Sequence, residues 1–268
     1  MTTNLPHDKP QGVNKLSEAS NSDHLPEHLA NSSWIEHAAN IPARFDYHYT
    51  QVAKVSFDLL RENRIIAAIE PGPFSNSYKI LRSQVLHTLR ERNWNTVAIT
   101  SPRNSEGKTL TAINFAICLA MEVDHTVLLV DANLRDPAVD QFFGIEAKYG
   151  LSDCLLEDKP LDEVLIHPSG IDRFVFLPAG KPLINAGEML SSHRMVKFIA
   201  DVKLRYPARI IVFDLPPILV AGESLQALPY IDTTLLVVEA GKTKKEDITR
   251  AESLLYSANV LGTVLSKT

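Results

Sequence analysis

From residue 95 onward, short apolar runs alternate with stretches of helical spacing. The runs are 96–100, 126–130, 173–177, 209–213, 233–239 and 260–265. Each is continuous rather than alternating, which predicts strands covered on both faces by helices. The pattern predicts an α/β fold: a three-layer sandwich around a mostly parallel central sheet. Ligands of such a sheet bind at the carboxyl ends of its strands. Upstream, Val52–Arg61 and Tyr78–Arg90 show helical spacing, the second with Ile80, Leu81, Val85, Leu86 and Leu89 on one side. Pro71-Gly-Pro73 separates them as a loop. Residues 1–45 are rich in Asn, Ser, His, Pro and acidic groups and hold few large apolar ones. They cannot bury enough surface to offset their ordering entropy, so a disordered polar segment is expected. The chain therefore divides into this segment, a helical lead-in or oligomerisation region over 46–94, and a domain over 95–268.

Composition changes the picture in a few places. With 268 residues, 45% of them hydrophobic, the chain can build a real core. A net charge of −5 offers no basic excess for nucleic acid or an anionic membrane surface. Cys118 and Cys154 lie far apart without metal or redox spacing, and Cys118 falls on an apolar helix face as a buried thiol. That usage suits a reducing cytoplasm. The N-terminus lacks the apolar core of a signal peptide, and no run of 18 apolar residues exists, so the chain is not expected to span a membrane. His7, His24, His28, His37 and His48 are irregularly spaced, as in a solvated tail rather than a metal site.

The first chemical signal is Ser101-Pro-Arg-Asn-Ser-Glu-Gly-Lys-Thr109. It follows the apolar run Thr96–Thr100 and precedes a helical pattern, Leu110 to Met121. Strand, small-residue loop ending in Gly-Lys-Thr, then helix is the layout of a phosphate-binding P-loop, although Pro102 stands where the first glycine is usual. Backbone N–H groups and the positive helix end face the phosphates. Lys108 can reach the β/γ oxygens, and the Thr109 hydroxyl can ligate Mg²⁺. Two further runs end in acids, Val127-Leu-Leu-Val-Asp131 and Ile210-Ile-Val-Phe-Asp214. Asp214 reads as the acid that holds the metal or its water shell. Asp131 could ligate the metal or take a proton from an incoming hydroxyl. The alternative for either is that it caps the turn that follows. Arg135 could pair with a phosphate, another subunit, or a surface acid.

These three motifs, in this order, resemble the bacterial tyrosine kinases of capsule and exopolysaccharide synthesis, relatives of the cell-division and partitioning ATPases. The resemblance spans about residues 75–268. It extends to Leu177-Pro-Ala-Gly180, to Asn185–Ser191 and to Val237-Val-Glu-Ala-Gly-Lys-Thr243. The stretch Ala116–Asp131 is most similar to the subfamily of exosortase-type exopolysaccharide loci. The resemblance implies ATP and Mg²⁺ as cofactors and phosphorylation of tyrosines on neighbouring copies in a homo-oligomer. It implies a membrane-spanning co-polymerase of the chain-length-determinant type as activator, with no nucleic acid involved. The chain would then work in the cytoplasm at the inner face of the plasma membrane, through that partner. Carried over by position, Lys108, Asp131 and Asp214 are the catalytic candidates, with Thr109, Asp131 and Asp214 for the metal. Ser105, Glu106, Gly107, Lys108, Thr109, Leu110, Asn133, Arg135 and Ser266 are the candidates for the nucleotide.

The chain departs from the family pattern at several places. Ser105 stands where glycine is usual, so close phosphate approach must occur without glycine's freedom. Asn133 replaces the second acid of an Asp-x-Asp pattern and brings no charge to the metal. Ser266 occupies the place of an adenine-reading Asn, and a hydroxyl discriminates a base edge less well than an amide. The Glu-x-x-Arg-x-x-Arg oligomerisation pattern reads Asn76-x-x-Lys79-x-x-Arg82. The chain stops at Thr268 without the usual tyrosine cluster. Tyr47 and Tyr49 make a local pair, either as acceptors or with rings docked on the domain. Three readings follow: a tyrosine autokinase, a nucleotide-responsive non-catalytic partner of the polysaccharide machinery, or a partitioning-type ATPase. The last carries a signature lysine where this chain has Arg103.

Overall fold

The structure is a computed structural model and describes residues 50–65, 72–205 and 208–267. The N-terminal segment 1–45 and the Tyr47/Tyr49 pair lie outside the described residues. Eight strands form one sheet in the order β1-β4-β5-β3-β6-β2-β7-β8. They are β1 (Gln51–Ala53), β2 (Thr96–Thr100), β3 (Thr126–Asp131), β4 (Ile166–Pro168), β5 (Phe174–Leu177), β6 (Arg209–Asp214), β7 (Thr233–Glu239) and β8 (Val260–Ser266). Every pairing is parallel except β4 with β5. The expected mostly parallel sheet is thus what forms.

Alternate residues of each central strand feed two separate cores, which follows from the two-residue period of a strand. Leu128, Val130, Ile211, Phe213, Leu236 and Val238 face one side. Val127, Leu129, Ile210, Val212, Leu235 and Val237 face the other. On the second side pack α1 (Phe57–Glu62), α2 (Pro73–Arg92) and α3 (Lys108–Ala120). On the first pack α4 (Leu151–Glu157), α5 (His193–Arg205) and α6 (Lys245–Leu254). With both faces covered, the strands need no polar positions, hence the continuous apolar runs.

Several expectations need correction. Val52–Arg61 is not one helix: Val52 and Ala53 lie in β1, and helix begins at Phe57, capped by the Ser56 hydroxyl. That strand exists through pairing with β4, a partner more than a hundred residues away in sequence that local spacing does not reveal. Pro73 starts α2 rather than belonging to a loop, as suits proline in a first helical turn. Ser75 closes that turn, accepting from Gly72 N–H at 2.8 Å and donating to Gly72 C=O at 2.9 Å. β8, read as a buried strand, is the sheet's edge and leaves Leu265 70% exposed.

Candidate active site

β2 feeds the loop Ser101–Gly107, and α3 starts at Lys108. Two residues in this loop take left-handed backbone, Ser105 at φ 60° and Gly107 at φ 83°. For glycine that conformation has no steric cost, whereas serine pays for its Cβ. Among the described residues, the backbone N–H groups of Asn104 to Gly107 make no hydrogen bond within the protein. Successive open N–H groups at a helix start form a cradle suited to phosphate oxygens.

β2, β3 and β6 are neighbours, so their carboxyl ends lie side by side, with Asp131 in register with Asp214. Asp214 is fully buried. It accepts from the Thr109 hydroxyl at 2.6 Å and from Lys108 Nζ at 3.3 and 3.4 Å. Lys108 Nζ also donates to Thr109 Oγ1 at 3.0 Å. Burial raises the Asp214 pKa, opposed by the charge of Lys108 and the hydrogen bond from Thr109. Asp131 is raised to about 7, first by burial and then by the neighbouring Asp214 charge. Asp131 Oδ1 accepts from Asn133 N–H at 3.1 Å, and its Oδ2 accepts from Ala138 and Val139 N–H at 3.0 and 3.1 Å. The capping alternative therefore describes Asp131 in this structure, while Asp214 points at the P-loop residues. A hydroxyl and two carboxylates are hard oxygen donors, a set that fits Mg²⁺.

The other candidates divide. The Asn133 amide donates to Asp136 C=O at 2.6 Å and is turned to its own loop. The Ser266 hydroxyl donates to Glu106 C=O at 2.7 Å and to Val238 C=O at 3.3 Å, so it ties β8 to the P-loop. Leu110 lies half-buried in the first turn of α3. Arg135 is exposed and makes no hydrogen bond or ion pair among the described residues. Arg103 makes a two-pronged pair with Asp247 of α6, at 2.6 and 2.7 Å. Arg82 pairs with Glu122 of its own chain at 2.7 Å and donates to Cys118 C=O.

Sequence reasoning missed the contribution of the segment after β7. Thr243 donates to the Glu106 carboxylate at 2.6 Å, and Lys242 Nζ donates to Ser105 C=O at 2.8 Å. The available signal was a second Gly-Lys-Thr, at 241–243, at the carboxyl end of a strand adjacent to β2.

No protein-family profile matches the chain. Tyrosine-protein kinase YwqD of Bacillus subtilis is 31% identical over 217 residues, 77% of this chain and 90% of that protein. The succinoglycan biosynthesis transport protein ExoP of Rhizobium meliloti is 28% identical over 219 residues, 78% of this chain and 27% of that protein. The chain thus spans nearly all of YwqD but little more than a quarter of ExoP. Among solved structures, the VpsO kinase domain superposes with a TM-score of 0.66 at 26% identity, covering 80% of this chain and 100% of that one. The septum site-determining protein MinD of Pyrococcus horikoshii, complexed with Mg-ADP, shares the fold with a TM-score of 0.53 at 21% identity, covering 64% of this chain and 69% of that one. On this similarity, together with a P-loop facing two buried strand-end acids, the chain belongs to the bacterial P-loop tyrosine-protein kinases.

Proposed function

We propose that the chain is an ATP-dependent protein-tyrosine autokinase that regulates exopolysaccharide synthesis and export. The observation that carries this is the cluster of Lys108, Thr109 and Asp214 beside Asp131 at the mouth of an open N–H cradle. Mg-ATP, when bound, supplies the phosphoryl group and the metal charge that offsets its negative oxygens. Backbone N–H groups of residues 104–107 would hold phosphate oxygens, with Lys108 exchanging Asp214 for them. Thr109 Oγ1, Asp214 and Asp131 would hold the metal. Asp131 Oδ1 accepts one backbone bond, which leaves it lone-pair capacity to take the tyrosine hydroxyl proton. Glu106, Gly107 and Leu110 shape the cradle, Ser266 braces it through Glu106 C=O, and Asn133 and Arg135 lie on the loop that follows Asp131.

Residues 95–268 form the catalytic domain in this reading, preceded by an oligomerisation lead-in over 46–94. Acceptor tyrosines lie on neighbouring copies, with Tyr47 and Tyr49 as candidates. Among the described residues no helix is long and apolar enough to cross a membrane. Placement at the inner membrane face is through a co-polymerase of the chain-length-determinant type. ExoP, which is named for polysaccharide transport and is far longer than this chain, supports that association.

The test is phosphotyrosine formed on the purified chain with Mg-ATP, with Lys108→Ala beside it, repeated with a co-polymerase cytoplasmic segment. A signal lost in Lys108→Ala supports the autokinase. Absence of signal with the activator, while ATP still binds, replaces it with a non-catalytic nucleotide switch. The inward-turned Asn133 amide and the capped Asp131 are the observations favouring that second reading.

A further inference from the structure

Ser105 holds left-handed backbone at an exposed position of the loop, a conformation that its own side chain disfavours. The bonds around it come from elsewhere in the fold. Lys242 Nζ donates to Ser105 C=O at 2.8 Å. The Glu106 side chain turns inward, and the residue is 2% exposed. Its Oε1 accepts from Thr243 Oγ1 at 2.6 Å, and its Oε2 accepts from Arg103 N–H at 2.7 Å. Thr243 Oγ1 is fixed in turn by accepting from Glu239 N–H at 2.8 Å. Ser266 Oγ donates to Glu106 C=O at 2.7 Å. Residues 105 and 106 are therefore gripped by their carbonyls and one carboxylate, and their N–H groups are left open.

We propose that Thr243, acting through Glu106 and assisted by Lys242, is a positioning residue that holds Ser105 in the left-handed conformation required by the nucleotide cradle. The segment after β7 does for this loop what a glycine at 105 would do through its own backbone freedom. The inference rests on the P-loop being the nucleotide site, as argued above, and deepens it.

The decisive measurement is the affinity of the purified full chain for Mg-ADP by titration calorimetry, with thermal midpoints recorded alongside. Thr243→Val removes the hydroxyl at nearly constant volume and is expected to weaken binding roughly tenfold, about the effect of one charge-assisted hydrogen bond. Thr243→Ser should retain most of the affinity. Ser105→Gly in the Thr243→Val background should restore most of the loss, because glycine adopts positive φ freely. Wild-type affinity in Thr243→Val overturns the proposal, as does a loss that Ser105→Gly leaves untouched. Lys108→Ala separates the two levels. If it binds Mg-ADP like the wild type, the loop is not the nucleotide site and both readings fall. If it loses binding while Thr243→Val does not, the positioning role alone falls.

Discussion

Lys108 Nζ donates to both carboxylate oxygens of Asp214, a lysine and an aspartate 106 positions apart, each almost wholly removed from solvent. The pair joins the first turn of α3 to the end of β6 across the β2–β6 ladder. A buried charge pair is strongly disturbed by loss of one partner, because the other charge is left without compensation. Lys108 thus has a structural partner in this state, one that it would exchange for phosphate oxygens in the proposed reaction.

This exchange predicts a measurable coupling. In the ligand-free chain, Lys108→Ala and Asp214→Asn should each destabilise, and the double variant should cost less than their sum. A double-mutant cycle by urea unfolding should give an interaction energy of about 1–3 kcal/mol. Simple additivity would mean the two side chains do not sense each other in solution.

Asn133→Asp would restore a second acid at the end of β3, but the structure adds a cost. The Asn133 amide donates to Asp136 C=O at 2.6 Å from a site 6% exposed. A carboxylate cannot make that bond and would stand near Asp131. The variant should lose about 1–3 kcal/mol without Mg²⁺ and recover part of it as Mg²⁺ is added. Thermal midpoints at increasing Mg²⁺ check this, and a midpoint that ignores Mg²⁺ would remove residue 133 from the metal's surroundings.

His125 provides a pH prediction. It sits 1% exposed before β3, with Nε2 bonded to Leu119 C=O at 3.0 Å. Burial first, and then the Arg90 charge, lower its pKa from 6.5 to about 4, opposed by the Leu119 bond and Asp124. The folded chain resists protonation that the unfolded chain accepts. Stability from neutral His125 is therefore complete above pH 6.5, declines as pH falls, and stops changing below about 4. The full shift is worth on the order of 3 kcal/mol. Urea midpoints between pH 7.5 and 4 should fall more steeply for the wild type than for His125→Gln, which keeps a donor for Leu119.

Gly150 predicts a large local cost. A Cβ there would overlap backbone atoms of Pro178, Ala179 and Gly180. The same backbone accepts Leu151 and Ser152 N–H at 2.8 and 2.9 Å, anchoring α4 to the end of β5. Gly150→Ala should destabilise by more than about 3 kcal/mol, since neither strand end nor helix start can yield. A well-folded variant within 1 kcal/mol of wild type, roughly the scale of a surface change, would contradict this packing.

The sequence by itself determined the strands that form the centre of the sheet, because strands buried on both faces read as near-continuous apolar runs. It also singled out Lys108 and Thr109, through Gly-Lys-Thr at a helix start, and Asp131 and Asp214, as acids closing apolar runs. Tertiary structure alone decided where β1 and β4 pair, because short strands are stabilised by distant partners rather than by their own pattern. It likewise decided what each polar group does. Asp131 and Asp214 look alike along the chain, yet one is occupied by backbone N–H groups and the other by Thr109 and Lys108. Thr243 reaches Glu106 across 137 positions, because adjacent parallel strands β2 and β7 bring together the loops that follow their carboxyl ends. Hydrogen bonds depend on direction and distance in three dimensions, and no spacing along a chain encodes them.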